Sequence, residues 1–231
     1  MSKKKIFSLA LVVCMIAILS FSSLAWFTDS DSAKNDFTIG GAGTTDPDDI
    51  FSVDVKESVD GKDEPVDSMD FGDVLPGDHH KKEAFVKNTG SYKEYIRVVM
   101  TITDWNLIKD VVAIKMDADF ADNWAITGDS GVYVDADGFL KPHSNAKVNN
   151  DGELVVTLFL NKQLDAGESV QIMDYVEISV EATQEDFADP SFADGFQIIF
   201  DADAAQTENV LSSYNTDEWK NAKATFEALG M

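Results

Sequence analysis

The sequence predicts an all-β fold, an antiparallel jelly-roll-like β-sandwich, with a cleavable N-terminal signal peptide and a C-terminal amphipathic helix. The first observation is a series of short segments with alternating apolar residues, separated by turns rich in Gly, Asn, Asp and Pro. The second is the size and composition, since 231 residues with 44% hydrophobic content suit one sandwich-sized domain with tails. The third is that neither end shows the strand pattern, since the N-terminus is a long apolar segment and the C-terminus has helical periodicity.

The N-terminus has the three parts of a secretory signal peptide. Lys3–Lys5 form a basic region, Ile6–Leu19 is almost uninterrupted apolar sequence, and small residues precede Trp26. We predict cleavage between Ala25 and Trp26. The alternative is an uncleaved membrane anchor, because an apolar stretch extended to Phe27 would nearly span a bilayer.

The net charge and the cysteine content restrict where the protein can act and which partners it can bind. The formal net charge is −24, which repels nucleic acid and anionic membranes and attracts cations. The single cysteine, Cys14, lies inside the predicted signal peptide, so the mature chain can form no disulfide. We therefore predict a secreted or cell-surface protein that binds no nucleic acid and meets the membrane only through its signal peptide before cleavage. Export without disulfides fits a Gram-positive cell envelope.

The most regular alternation lies near residues 84–103. A strand through residues 84–86 is followed by an Asn-x-Gly turn at 88–91 and then by a longer strand. The longer strand has one predicted buried face, formed by Ile96, Val98, Met100 and Ile102. Because Asn and Gly tolerate positive φ, the sequence predicts that the turn joins the two strands as a hairpin.

The remaining elements follow from turn signals and period. Further strands are predicted at 51–55, 153–160, 175–181 and 196–200, and a hairpin at 131–140. Periodicity leaves residues 105–116 open between a strand and a short helix. A helix is predicted from an N-cap at Thr216 to Leu229, stopped by Gly230, and we expect it to pack on the sandwich rather than bind a partner. The predicted units are 1–25, 26–43, 44–208 and 209–231.

The sequence contains none of the common catalytic motifs, namely HExxH, GxSxG, the P-loop and the Gly-rich dinucleotide turn. We therefore predict no enzyme activity and no required cofactor. His79 and His80, beside acidic neighbours, are candidate ligands for a transition metal. On a strand, however, adjacent residues point to opposite faces, which favours an exposed polar turn instead.

Acidic pairs raise the alternative of weak calcium binding. Asp135 and Asp137 stand before a glycine, as carboxylates do in a calcium loop. Tyr133, however, occupies a position where an EF-hand needs an acid, and no Glu closes a twelve-residue loop. Weak extracellular binding without an EF-hand is the remaining expectation.

Several motifs in order along the chain resemble the TasA/camelysin family of exported Gram-positive proteins. They are the Lys-rich signal ending at Ala25, Trp26–Ser30, Phe37–Gly41, Leu75–Asp78, Asn88–Ser91 with Tyr95–Val98, and Phe200–Gln206, with Glu181–Gln184 a rival for the last match. The resemblance covers the signal, the first half and the final strand, and leaves residues 105–154 unmatched. It implies a jelly-roll fold and processing by an alternative signal peptidase.

The resemblance also implies assembly into extracellular biofilm fibres. Family members donate the mature N-terminal strand into a neighbour's sheet, a form of β-strand addition. The matching donor segment runs from Trp26 to Ile39. Its apolar residues are Trp26, Phe27, Phe37 and Ile39, and the hinge glycines that follow are Gly40, Gly41 and Gly43.

Partners and activity have three possible readings on this basis. The expected role is a structural matrix protein that associates with itself or with another matrix protein. One alternative is a non-polymerising cell-envelope or adhesin module, in which the same strand stays on its own domain. The other is a surface metalloprotease, as camelysin-like members have been described, although this sequence offers no zinc motif.

Overall fold

The computed structural model describes residues 28–36, 53–59, 76–128, 130–144, 146–183, 195–207, 210–211 and 213–231. Within these ranges the chain forms eleven strands and three helices. The strands are β1 Thr28–Asp36, β2 Val53–Val59, β3 His79–Asn88, β4 Glu94–Ile102, β5 Val112–Met116, β6 Trp124–Ile126, β7 Val132–Val134, β8 Leu140–Pro142, β9 Leu154–Leu160, β10 Ser169–Ile178 and β11 Gln197–Gln206. The helices are α1 Trp105–Ile108, α2 Phe120–Asn123 and α3 Glu218–Leu229.

The strands form two main sheets and a small one, and every pairing is antiparallel. The larger sheet has the order β1-β11-β4-β9-β6, and the second sheet has the order β2-β3-β10-β5. The third consists of β7 and β8 alone. The predicted mostly-β, antiparallel fold with a C-terminal helix is therefore confirmed.

One hydrophobic core joins the two main sheets. Alternate residues of each strand enter it, because successive side chains on a strand point to opposite faces. The predicted buried face of β4 is confirmed, since its four apolar residues are fully buried. They meet inward residues of both sheets, including Ala84, Val86, Val156, Leu158, Ile172, Val176, Ile198 and Phe200. The sheets therefore stabilise each other by burying apolar surface between them.

The predicted hairpin between β3 and β4 is wrong. β3 pairs with β2 and β10, whereas β4 pairs with β11 and β9, so the two strands belong to different sheets. The turn at 88–91 is a corner between the sheets. The buried Asn88 side chain fixes this corner, because its Nδ2 donates to the carbonyls of Tyr92, at 2.7 Å, and Leu164, at 2.9 Å. Asn88 is not a turn residue but the last residue of β3, and its side-chain amide holds the crossover to β4.

Local turn signals elsewhere gave correct elements. The predicted 131–140 hairpin is confirmed as β7 and β8, with the Gly138 N–H donating to the Asp135 carbonyl at 2.9 Å. The ambiguous segment 105–116 contains both alternatives, first α1 and then β5. The last predicted strand is longer than expected, because β11 continues to Gln206.

The predicted C-terminal helix is confirmed, with a later start. α3 begins at Glu218 with Asp217 as N-cap, instead of the predicted cap at Thr216. The preceding segment is held by Asn221, whose side chain accepts from the Asn215 N–H at 2.5 Å and donates to its carbonyl at 3.0 Å. Gly230 ends the helix at φ 78°, a left-handed conformation that favours glycine.

Both ends of α3 are thus fixed by local hydrogen bonds, and its middle packs on the larger sheet. Among the described residues no helix is long and apolar enough to cross a membrane. The predicted signal peptide falls outside the described residues.

Candidate functional site at the edge of the larger sheet

β1 is the edge strand of the larger sheet. All nine of its residues pair with β11, from Thr28 opposite Ala205 to Asp36 opposite Gln197. In the strand order of the described residues, β11 is its only sheet partner. β2, the edge strand of the other sheet, lies close to it. An edge strand of this kind can be replaced by another extended segment, because the ladder of main-chain hydrogen bonds is independent of which chain supplies it.

β11, the partner of β1, is held on its other side by β4. Nine residue pairs join the two strands, from Ile198 opposite Ile102 to Gln206 opposite Glu94. The inward residues of β11 are fully buried, namely Ile198, Phe200, Ala202 and Ala204. β11 is therefore a central strand while β1 is paired, and would become the edge of the sheet without it.

The outer face of the larger sheet carries a second, smaller apolar cluster under α3. Tyr95, Phe159 and Ala205 from three neighbouring strands meet Ala222 and Phe226 of the helix. The rings of Phe159 and Phe226 lie 6.2 Å apart. This cluster places the helix across β11, β4 and β9.

An ion pair beside this cluster joins β4 to β11. The Arg97 guanidinium donates to a carboxylate oxygen of Asp203 through two nitrogens, with the Nε contact at 2.9 Å. Both side chains are largely buried, at 17% and 13% exposed. The guanidinium carbon also lies 5.0 Å from the Phe226 ring centroid, within the range of a cation–π interaction. Arg97 therefore connects the acceptor strand to the helix.

Tyr95 is the buried polar group of the same cluster. Its hydroxyl donates to Glu218 at the start of α3 at 3.1 Å, and accepts from Gln163 at 3.4 Å. Burial raises the pKa of Tyr95 to about 12, and the Glu218 carboxylate adds to the rise, against the opposing Gln163 hydrogen bond. The hydroxyl is thus kept protonated, so it can donate to Glu218 well into alkaline solution.

Most of the sequence-predicted donor residues lie beyond this description. Ala25, Trp26, Phe27, Phe37 and Ile39, and the hinge glycines Gly40, Gly41 and Gly43, fall outside the described residues. The described part of the predicted donor segment is β1 itself.

The two candidate histidine ligands are not brought together with further ligands. The exposed His79 ring stacks on Tyr175, with centroids 3.7 Å apart. His80 lies half-buried with its Nε2 at 3.9 Å from the Asp78 carboxylate. Within the part of the chain that the structure describes, no three His, Cys, Asp or Glu side chains form a group able to hold a metal ion.

The candidate calcium carboxylates belong to the β7–β8 turn. The Asp135 carboxylate accepts the backbone N–H groups of Asp137, at 3.0 Å, and Phe139, at 2.9 Å. The Asp137 carbonyl accepts from the Lys115 ammonium. Asp135 thereby performs the structural task of an Asx turn, which satisfies backbone donors that the tight turn leaves unpaired.

Sequence reasoning missed the residues that support the acceptor strand. Tyr95 and Arg97 alternate with the predicted buried row of β4 and so point to its outer face, which the alternation alone leaves facing solvent. The available signal was the unusual content of the face, since Tyr, Arg and an apolar helix 120 residues later can cover one another. Comparisons with protein-family models and with curated proteins found no match.

Proposed function

We propose that this chain is a secreted structural protein of an extracellular matrix or biofilm, assembling into fibres by N-terminal donor-strand exchange. The observation that carries the proposal is the position of β1 at the edge of the larger sheet, paired with β11 alone among the described strands. In a fibre, β1 of one copy would leave its own β11 and pair with β11 of the next copy. The proposal includes a jelly-roll topology for the two antiparallel sheets.

The exchange costs no main-chain hydrogen bonds. The incoming strand remakes the same antiparallel ladder that the leaving strand gives up, so main-chain hydrogen bonds are conserved. Because the donor and acceptor surfaces lie on different parts of one copy, the contact is head-to-tail and extends into a filament. The cost is the lost freedom of each copy, which favourable side-chain burial must offset.

Secretion supplies the switch in this proposal. The predicted cleavage between Ala25 and Trp26 frees a terminus only two residues before β1 begins at Thr28. An attached apolar signal segment would hold that end at the membrane. Removal by an alternative signal peptidase would therefore release the donor strand outside the cell.

The testing experiment compares two versions by electron microscopy. One begins at Trp26 and the other at Gly41, which removes β1 and leaves the β11 edge open. We expect filaments from the first and monomers from the second, because only the first carries a donor. Monodisperse protein from both versions would refute donor-strand assembly.

A second candidate is a non-polymerising envelope or adhesin module. The same pairing favours it in one respect, since β1 completes the sheet of its own chain. Light scattering across a concentration series separates the two functions. A constant monomer mass for the Trp26 version, up to millimolar concentration, would support the module.

A further inference from the structure

We propose that α3 is a brace for the acceptor strand, which keeps the second half of β11 formed when β1 leaves it. This inference rests on the proposed function, because it concerns the edge that receives an incoming strand. It assigns a positioning role to Phe226 of α3 and to Arg97 of β4, a strand that β11 separates from β1 in the sheet order. The occupant of the braced edge is β1 of a second copy.

The two halves of β11 differ in the size of the apolar side chains that they bury. The first half inserts Ile198 and Phe200 into the main core. The second half has only alanines among its apolar residues, namely Ala202, Ala204 and Ala205. Alanine buries little apolar surface and is depleted in strands, so this half is weakly anchored by its own side chains.

The weakly anchored half is the half that pairs with the beginning of the donor. Thr28 lies opposite Ala205 and Ser32 lies opposite Asp201. While β1 is in place, strand pairing from both sides holds residues 201–205. After β1 leaves, β4 alone supplies the ladder, and the end of β11 would fray as exposed strand ends do.

α3 supplies the missing support from the outer face. Ala205 is fully buried beneath the helix, in the cluster with Phe226 and Tyr95. Two residues earlier, Asp203 accepts from Arg97, whose guanidinium lies 5.0 Å from the Phe226 ring centroid. The Phe226 ring therefore shares a cluster with Ala205 and lies beside the guanidinium that binds Asp203. None of these contacts uses a residue of β1, so they persist when β1 is exchanged.

The experiment uses the chain from Trp26 to Met231, which keeps every described residue, and three variants of α3. Phe226→Ala removes the ring, and Phe226→Leu is a milder version in case the alanine variant fails to fold. Glu227→Ala is the matched control, because Glu227 is exposed on the same helix and pairs only with Lys223 among the described residues. Hydrogen–deuterium exchange then follows the backbone amides of β11 and of β10, and a fluorescent peptide copying residues 26–39 reports replacement of β1.

We expect exchange to accelerate in the Phe226 variants by about tenfold more at the amides of residues 203–206 than at those of β10, since local opening at the end of β11 becomes easier in addition to any loss of global stability. The fraction of protein retaining the peptide should fall severalfold in the same variants. The Glu227→Ala control should match the unsubstituted chain in both measurements.

The remaining outcomes separate the two ideas. Unchanged exchange in the Phe226 variants, or faster exchange with full peptide retention, would overturn the brace while leaving donor-strand exchange intact. An equal acceleration of exchange in β11 and β10 would overturn it too, because the helix would then act on global stability alone. If no peptide enters even the unsubstituted chain, donor-strand exchange fails, and the exchange rates alone decide whether α3 holds the end of β11.

Discussion

The outer faces of the two sheets are built from the same alternating pattern and have opposite environments. On the larger sheet, the outward residues Tyr95 and Ala205 are fully buried because α3 covers them. On β3 of the other sheet, the outward residues His79, Lys81 and Glu83 are exposed or half-exposed. Lys81 pairs with Glu83, and the His79 ring stacks on Tyr175. Alternation therefore fixes which residues point outward. Whether that face meets water depends on an element far away in the chain.

The β5 edge of the second sheet and the β1 edge of the larger sheet also differ in what covers them. β5, at the edge of the second sheet, is flanked by the β7–β8 turn, with the Met116 N–H donating to the Gly138 carbonyl at 2.9 Å. Lys115 of β5 also places its ammonium 4.8 Å from the Phe139 ring centroid. A covered edge of this kind resists strand addition. The larger sheet instead ends on β1, the strand that the proposed exchange would replace.

The strongest test of the contrast between faces is Phe226→Ala. Because the ring is 1% exposed, its loss should lower the free energy of unfolding by about 4 kcal/mol. Urea unfolding followed by tryptophan fluorescence measures this change. Glu227→Ala, on the exposed side of the same helix, should change stability by less than about 0.5 kcal/mol. Equal losses in the two variants would contradict the burial of the outer face.

Alkaline solution provides the next largest effect. Because the folded protein raises the pKa of Tyr95 from 10.0 to about 12, the folded state holds this proton more tightly. The corresponding stability is fully present below pH 10 and is lost as the pH rises through 12, by up to about 2 kcal/mol once solvent screening is allowed for. Urea unfolding at pH 9, 10, 11 and 12 measures the slope.

Tyr95→Phe is the matched variant for that experiment. It keeps the ring and removes the titrating hydroxyl, so its loss of stability over this pH range should be smaller by the same amount. Burial also raises the pKa of Tyr175, with the Glu177 and Asp174 carboxylates adding to the rise, and this contribution is common to both proteins. Identical slopes would show that Tyr95 is not responsible.

The ion pair on the covered face should matter less than the ring above it. Arg97→Leu should cost about 2 kcal/mol of stability, because it removes both guanidinium hydrogen bonds to the largely buried Asp203 carboxylate. A double-mutant cycle with Asp203→Asn isolates the pair from other effects of either change, with an expected coupling of about 1 kcal/mol. Additive losses would exclude a direct interaction.

The uncovered face should give the smallest effects. His79→Ala removes the ring stacked on Tyr175 and should cost less than about 1 kcal/mol, as exposed aromatic pairs do. Lys81→Ala breaks a surface pair with Glu83, at 2.8 Å, and should cost less than about 0.5 kcal/mol. Thermal melts compare both with Phe226→Ala. A larger loss on this face would reverse the comparison.

Local features of the fold were predictable from the sequence, and pairings were not. The buried row from Ile96 to Ile102 and the turn at 135–138 follow from alternation and turn chemistry. The corner at Asn88 could not be recognised, because a short Asn-x-Gly connection suits a hairpin equally well. The corner is fixed instead by hydrogen bonds to Leu164. Its backbone N–H and carbonyl bond the backbone of Glu94, and its carbonyl also accepts from the Asn88 side chain. Such non-local partners leave no signal in a single sequence.

The candidate site shows the same division. A strand within residues 26–39 could be predicted from the sequence and the resemblance, but its partner β11 could not. The support for β11 was also hidden, because Tyr95 and Arg97 have the polar ends expected of a solvent-facing row. Their burial follows from α3, which begins more than a hundred residues later.

The pairing of β1 with β11 also imposes an order in time. The first described strand ends at Asp36, and its partner begins at Gln197, so the chain must be delivered as far as β11 before the pair can form. A chain threaded through a membrane from its N-terminus would therefore expose β1 early and β11 late. During this interval, a finished neighbour with an open edge could capture the waiting strand first. Growth of a fibre would then compete with the folding of each newly exported copy, and local concentration would decide the winner.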